Sequence, residues 1–143
     1  MAMTRDEMVE LLSRWHAAIG RHDVDGIVDA HAEHSVMDSP TAGGSANGRE
    51  AIAKVYDAWF SGFPDLTVTP PELVIDGNQA SAYFTISGTD AGGFMGLPAT
   101  GKPFRVPLVF LIKAENGFIT YCHPVYDFSG LLIQIGVLKV KAT

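Results

Sequence analysis

An α+β domain, in which three N-terminal helices pack on one face of a curved antiparallel sheet that closes into a cone, is the fold this sequence predicts. Three observations predict it. Apolar residues recur at helical spacing through the first half of the chain, while the second half alternates with period two in runs rich in Val, Ile, Phe, Tyr and Thr. Asp76-Gly77-Asn78 and Glu115-Asn116-Gly117 lie between those runs as tight hairpin signals, so neighbouring strands should be antiparallel. A run of helices followed by a run of strands is solved by layering the helices on the sheet.

The elements follow in order. Thr4 and Glu7 form a T-x-x-E capping box, and Met8, Leu11, Leu12, Trp15 and Ile19 continue it as an amphipathic helix. Gly20-Arg21-His22-Asp23 breaks that helix, and Asp23 caps a second one through Val24, Ile27 and Val28. Residues 34–40 are expected as a short strand and 41–48 as a Gly-rich loop. Asn47 with Glu50 is expected to cap a third helix whose stripe is Ile52, Val55, Tyr56, Trp59 and Phe60, stopped by Gly62 and Pro64. Strands are expected over 66–75, 80–89, 104–113 and 118–128, with Pro70-Pro71 kinking the first of them.

The composition sets bounds. With 143 residues, 47% of them hydrophobic and 18% charged, the chain fits one domain spanning 1–143 with a real core. A net charge of -6, with 10 Lys and Arg spread along the chain, argues against nucleic acid or an anionic membrane as partner. A hydrophobic small molecule is the expected ligand. The polar, acid-containing N-terminal stretch lacks the pattern of a secretory signal, and no apolar run approaches spanning length, so a cytoplasmic location is expected. Cys122, the single cysteine, is expected as a buried structural thiol.

Candidate chemistry centres on the stretch from Tyr121 to Asp127. If one strand face carries Tyr121, His123, Val125 and Asp127, and both faces are covered, Asp127 enters an apolar environment that raises its pKa toward that of a proton carrier. The alternative is that Asp127 caps a final helix ahead of Ser129-Gly130. His123 would line the same cavity or be a satisfied core histidine. Asp90 ends a strand whose inward set is Ala82, Phe84, Ile86, Gly88 and Asp90, and is either a pocket acid or a turn residue. Asp38, sharing a face with His34, either meets Asp127 in one cavity, splitting their pKa values, or opens a turn before Ser39-Pro40. Trp15, Tyr56, Trp59, Phe84, Phe110 and Tyr121 are candidate wall residues for the substrate. His31-Ala32-Glu33-His34 lacks a third metal ligand nearby, so no metal is expected. Gly96-Leu97-Pro98-Ala99-Thr100-Gly101-Lys102 has phosphate-loop spacing, yet Pro103 replaces the Ser or Thr and a strand follows it.

The run Gly88-Thr89-Asp90-Ala91-Gly92-Gly93-Phe94-Met95-Gly96-Leu97-Pro98-Ala99-Thr100-Gly101-Lys102, with Tyr126-Asp127 and Leu131-Leu132-Ile133-Gln134-Ile135-Gly136 after it, resembles the SnoaL-like polyketide cyclases of the nuclear transport factor 2-like superfamily. The resemblance implies an α+β, cystatin-like cone, a homodimer through the open face of the sheet, and no metal or organic cofactor. It places the general acid/base of an intramolecular aldol closure on Asp127. Asp90 stands where the family has histidine after Gly-Thr. A second resemblance, to ketosteroid isomerase, rests on His22-Asp23-Val24-Asp25-Gly26-Ile27-Val28 and Met37-Asp38-Ser39-Pro40. It implies Asp38 as general base, with the isomerase's oxyanion donors falling near Trp15 and Val109.

Overall fold

The computed structural model describes residues 2–141. Helix α1, Arg5–Gly20, starts on the expected capping box: Thr4 Oγ1 accepts from the Glu7 amide at 3.1 Å and Glu7 Oε1 from the Thr4 amide at 2.9 Å. Its buried face carries Met8, Leu11, Leu12, Trp15, Ala18 and Ile19. Helix α2, Val24–Asp29, is capped by Asp23, which accepts from the Gly26 amide at 3.0 Å. Helix α3, Arg49–Gly62, corrects one expectation: its N-cap is Gly48 at φ 87°, with no side-chain cap. Asn47 is unavailable for capping because it still pairs with Val36 in the sheet.

Strand β1, His31–Ser39, begins earlier than expected, and the anticipated Gly-rich loop contains β2, Gly44–Asn47, paired antiparallel to it. Pro70-Pro71 splits the next stretch into β3, Thr67–Val68, and β4, Glu72–Asp76. Proline lacks the N–H that a ladder needs, so the strand breaks there. The long strands β5, Gln79–Thr89, β6, Pro103–Glu115, and β7, Phe118–Tyr126, form an antiparallel meander, and α4, Phe128–Gln134, closes the chain. At the β6–β7 turn Asn116 and Gly117 both take positive φ, 52° and 86°, as a two-residue hairpin of matching twist requires.

The sheet order is β2-β1-β7-β6-β5-β3, with β4 also pairing β5. It is a mixed sheet, because β1 runs parallel to β7 where an all-antiparallel arrangement was expected. Beside that pair β1 bulges: His31 is level with Ile119 and Val36 with Tyr121, so four residues of β1 stand against the single Thr120 of β7. His31 Nδ1 and Ser35 Oγ meet at 2.9 Å across the bulge, and both residues are fully buried.

Even-numbered residues of β5 and β6, and of β7 from Cys122 onward, point to the inner face, where helices α1 and α3 cover Ala82, Phe84, Phe104, Leu108, Phe110 and Cys122. The odd-numbered residues of those stretches point outward; a register shift beside Ala114 reverses the parity at the start of β7, where Ile119 is buried and Phe118 exposed. Tyr83 and Leu111, each 44% exposed, and Val125, 49% exposed, mark that outer face as apolar and uncovered.

Candidate functional site

A cavity of about 50 Å3 lies between the inner face of the sheet and helices α1 and α3. From α3 come Val55, Tyr56, Trp59 and Phe60, which four-residue and three-residue spacing puts on one helical side. From the sheet come Phe84, Phe110, Leu108, Pro124 and Tyr126. Aromatic rings build most of the wall, Phe84 stacking on Phe110 at 5.8 Å and Trp59 edge-on to Tyr126 at 5.8 Å. Ser39, Tyr56 and Tyr126 supply its oxygen-bearing side chains, with no carboxylate among the described lining residues.

The two phenol hydroxyls are without partners, whereas Ser39 has one. The Tyr126 hydroxyl is buried without a hydrogen-bond partner. Burial pushes its pKa well up, an effect that nearby Ser39 only eases. Ser39 Oγ instead lies 3.0 Å from Thr41 Oγ1, which accepts from Trp59 Nε1 at 3.1 Å. At the other end, the Tyr56 hydroxyl and Trp15 Nε1 are also buried without partners. The Tyr56 pKa is raised first by burial and then by Cys122 beside it. Cys122 is a free, buried thiol pushed up to about 12, chiefly by burial.

Asp127 is not in this cavity. It is exposed, and its Oδ1 accepts from the Gly130 amide at 2.8 Å as the N-cap of α4. Glycine at 130 is what makes room, because a Cβ there would overlap the Asp127 carboxylate. The expectation of an apolar environment around Asp127 is therefore corrected. On β7 the inner set is Cys122, Pro124 and Tyr126, level with buried Ile112, Phe110 and Leu108 of β6. We expect Asp127→Ala to lower stability by about 1 kcal/mol and Asp127→Asn, which keeps the accepting oxygen, to change it little in thermal unfolding.

The same parity moves two other candidates outward. His123 is half-buried on the outer face opposite Leu111, and Tyr121 lines an outer groove with Lys113 instead of the inner wall. Tyr121 donates its hydroxyl proton to Asp38 Oδ2 at 2.7 Å, and that hydrogen bond raises the Tyr121 pKa. Asp38 thus partners Tyr121 and does not meet Asp127. It lies inside β1 and opens no turn; Ser39 caps the 3-10 turn Pro40–Ala42 instead. The general base implied for an isomerase is accordingly absent from the inner cavity.

Asp90 is fully buried at the inward end of β5, yet it is not a cavity residue. Its Oδ2 accepts from the Thr100 amide and Thr100 Oγ1, both at 3.1 Å, and Oδ1 accepts from the Gly93 amide at 3.2 Å. It pins both ends of the loop that carries Phe94 against Trp59. Of the expected wall residues, Tyr56, Trp59, Phe84 and Phe110 line the cavity, while Trp15 sits behind Phe110 with ring centroids 4.8 Å apart. Sequence reasoning missed Tyr126 and Ser39. For Tyr126 the signal was the period-two pattern, taken in the wrong parity on β7; for Ser39 it was the alternation on β1, which puts it on the buried face with Met37.

Among the described residues no three His, Cys, Asp or Glu side chains are placed to hold a metal ion, and no helix is long and apolar enough to cross a membrane. Comparison with known proteins adds the lineage. The SnoaL-like polyketide cyclase family model matches residues 9–135. TsrD from Streptomyces laurentii is 27% identical, with a TM-score of 0.83 over 95% of this chain and 99% of that one. IdmH from Streptomyces antibioticus, described as a candidate polyketide cyclase, is 25% identical with a TM-score of 0.75, over 90% of this chain and 97% of its own. A nuclear transport factor 2-like protein from Burkholderia xenovorans, 22% identical with a TM-score of 0.74 over 94% of this chain and 99% of that one, shares the fold. No curated protein matches.

Proposed function

The chain belongs to the SnoaL-like polyketide cyclase family, and from that premise we propose that its inner cavity binds a hydrophobic carbonyl compound and promotes a cofactor-free, intramolecular aldol ring closure. The observation that carries this reading is the Tyr126 hydroxyl, buried and unpartnered in a largely apolar wall. A ligand carbonyl supplies the acceptor it lacks. In the closure, the enol carbon of one carbonyl unit attacks a second carbonyl, a C–C bond forms, and negative charge develops on the acceptor oxygen. A phenol already aimed at that oxygen stabilises the charge without reorganising. Its raised pKa keeps it protonated as a donor. The enol proton ends on the new alkoxide, so product and substrate are isomers. The apolar walls contribute orientation, holding the chain folded on itself.

The resting cavity, at about 50 Å3, is smaller than the roughly 300–1,000 Å3 of a typical ligand site. Entry of a multi-ring compound therefore requires the half-buried rings of Trp59 and Phe60 to swing outward.

A panel of aromatic polyketones, assayed for binding and for ring closure, tests the reading. Tyr126→Phe should lower kcat about tenfold or more with little change in KM, since it removes a donor engaged most strongly in the transition state. Asp127→Asn should leave turnover within about twofold; a large loss with stability intact would instead make Asp127 the proton carrier. Binding without turnover in the unmodified protein would place the chain among ligand-binding modules.

The exposed outer face around Tyr83, Leu111 and Val125 suits a homodimer formed through the sheet. Replacing Leu111 and Val125 together by Arg should convert the dimer to monomer in sedimentation velocity. A monomeric unmodified protein would refute the assembly.

A further inference from the structure

A chain of hydroxyls ends at the cavity wall. β1 and β7 run parallel with Met37 level with Cys122, so their last inward-facing residues, Ser39 and Tyr126, emerge at the same end of the pair, and both line the cavity. Ser39 is buried, and its Oγ accepts from the Thr41 amide at 3.3 Å. The same Oγ lies 3.0 Å from Thr41 Oγ1, a contact in which either hydroxyl can donate. Trp59 fixes the head of the chain, because an indole N–H only donates and Nε1 donates to Thr41 Oγ1 at 3.1 Å. With an acceptor oxygen in the cavity, one arrangement gives every hydrogen a partner: Trp59 donates to Thr41, Thr41 to Ser39, and Ser39 to the ligand. Both lone pairs of Ser39 Oγ are then taken, by the amide and the hydroxyl of Thr41, so Ser39 faces the cavity as a donor alone.

We infer that Ser39 is a second oxyanion donor, which together with the Tyr126 hydroxyl takes one acceptor oxygen of the ligand, and that Thr41 and Trp59 are the positioning residues that aim it. The inference rests on the proposed carbonyl-binding role of the cavity and adds to it a second residue in contact with the reacting oxygen. A carbonyl oxygen has two lone pairs, one for each donor. The two hydroxyls are neighbours without being partners: Ser39 is close enough to ease the rise in the Tyr126 pKa, yet the Tyr126 hydroxyl makes no hydrogen bond. Linked hydrogen bonds polarise one another, so the chain strengthens the Ser39 bond as negative charge grows on the ligand oxygen. Trp59 ties this to closure. When its ring swings outward to admit a ligand, Nε1 parts from Thr41, and the chain is complete again only once the ring has closed behind the ligand.

The test uses the full chain and acetophenone, with the carbonyl stretch read by isotope-edited infrared difference spectroscopy. Acetophenone in apolar, singly hydrogen-bonding and doubly hydrogen-bonding solvents gives three reference positions, and the bound band should fall at the doubly bonded one. Ser39→Ala should return it to the singly bonded position and weaken binding about fivefold, the worth of one neutral hydrogen bond. Tyr126→Phe should do the same, and the double variant should bring the band to the apolar position. Thr41→Val keeps the shape of a half-buried side chain and leaves the Ser39 hydroxyl in place. It should move the band part of the way, a change that lost packing alone does not produce. A doubly bonded band unchanged in Ser39→Ala, or a singly bonded band in the unmodified protein that only Tyr126→Phe shifts, would overturn the Ser39 donor while leaving carbonyl binding at Tyr126 in place. Failure of acetophenone to bind, or a bound band at the apolar position, would remove the carbonyl-binding reading and the second donor with it. The band in the unmodified protein decides the matter even if a variant folds poorly: the doubly bonded position supports the donor, and the singly bonded position overturns it.

Discussion

Replacing Asp90 by Ala should lower stability by about 3 kcal/mol, the larger part of it from stranded donors. The carboxylate is fully buried and accepts from the Gly93 amide, the Thr100 amide and Thr100 Oγ1. Hydrogen bonds to a charged group are each worth roughly 1.5–3 kcal/mol, and a buried donor left unpaired costs about 1–3 kcal/mol more. Partial relaxation of the loop to water brings the sum down to the expected figure. Backbone bonds tie the same joint, Asp90 donating its amide to the Lys102 carbonyl and Gly101 donating to the Asp90 carbonyl, both within 2.9 Å. The loop cannot simply lift away, because Phe94 packs between Trp59 and Phe63. At this chain length the loss should lower the Tm by roughly 10 °C. Asp90→Asn should fall between, since one amide group must face a donor with a donor. Thermal unfolding together with amide exchange at Gly93 and Thr100 checks this; a Tm within about 2 °C of the unmodified protein would mean that the loop stands without its anchor.

Acid should destabilise the protein through His31. Its ring is fully buried, Nδ1 meets Ser35 Oγ, and Nε2 has no partner. Burial first, and the neighbouring Arg49 charge second, push its pKa down to about 4 from an ordinary value of 6.5. Because the folded value lies below the unfolded one, the unfolded chain takes the proton first as pH falls. The folded state is therefore undiminished above about pH 6.5 and loses stability progressively toward pH 4, by roughly 3 kcal/mol in all at 1.36 kcal/mol per pKa unit. Urea unfolding between pH 7 and pH 4 measures the slope, with His31→Gln as the reference in which the carboxylates and the other histidines still titrate. If the two slopes coincide, His31 does not carry the effect.

The architecture was legible because helix and strand periods are local properties. The α1 capping box, the Asp23 cap and the Asn116-Gly117 turn each sit where their chemistry puts them. Parity on β7 was not legible. Tyr121 and Val125 on one side and Cys122, Pro124 and Tyr126 on the other are all apolar enough to be buried, so alternation alone does not choose a face. Register against β6 decides it, and that register is a long-range fact. His123 followed the same error outward, while Asp38, on the outer-facing side of β1, meets Tyr121 there and not Asp127. The inward end of β5 was placed correctly, because small and apolar residues alternate there with polar Ser81, Thr85 and Ser87. What remained hidden at Asp90 was its partner, Thr100, across a loop whose path the sequence does not state.

The parallel pairing of β1 with β7 also shapes how the chain reaches this structure. The meander β5–β6–β7 joins neighbours in sequence, closing through a two-residue turn at Asn116-Gly117, and such contacts form early and locally. β1 has no such route. Met37 meets Cys122 only after β2, helix α3 and the four strands β3 to β6 have been made and set aside. The closure entropy of that long loop comes before any reward from the contact. β7 should therefore wait with one open edge until β1 docks, placing this protein among slow folders in the millisecond-to-second range and making that edge the site where a second chain can intrude.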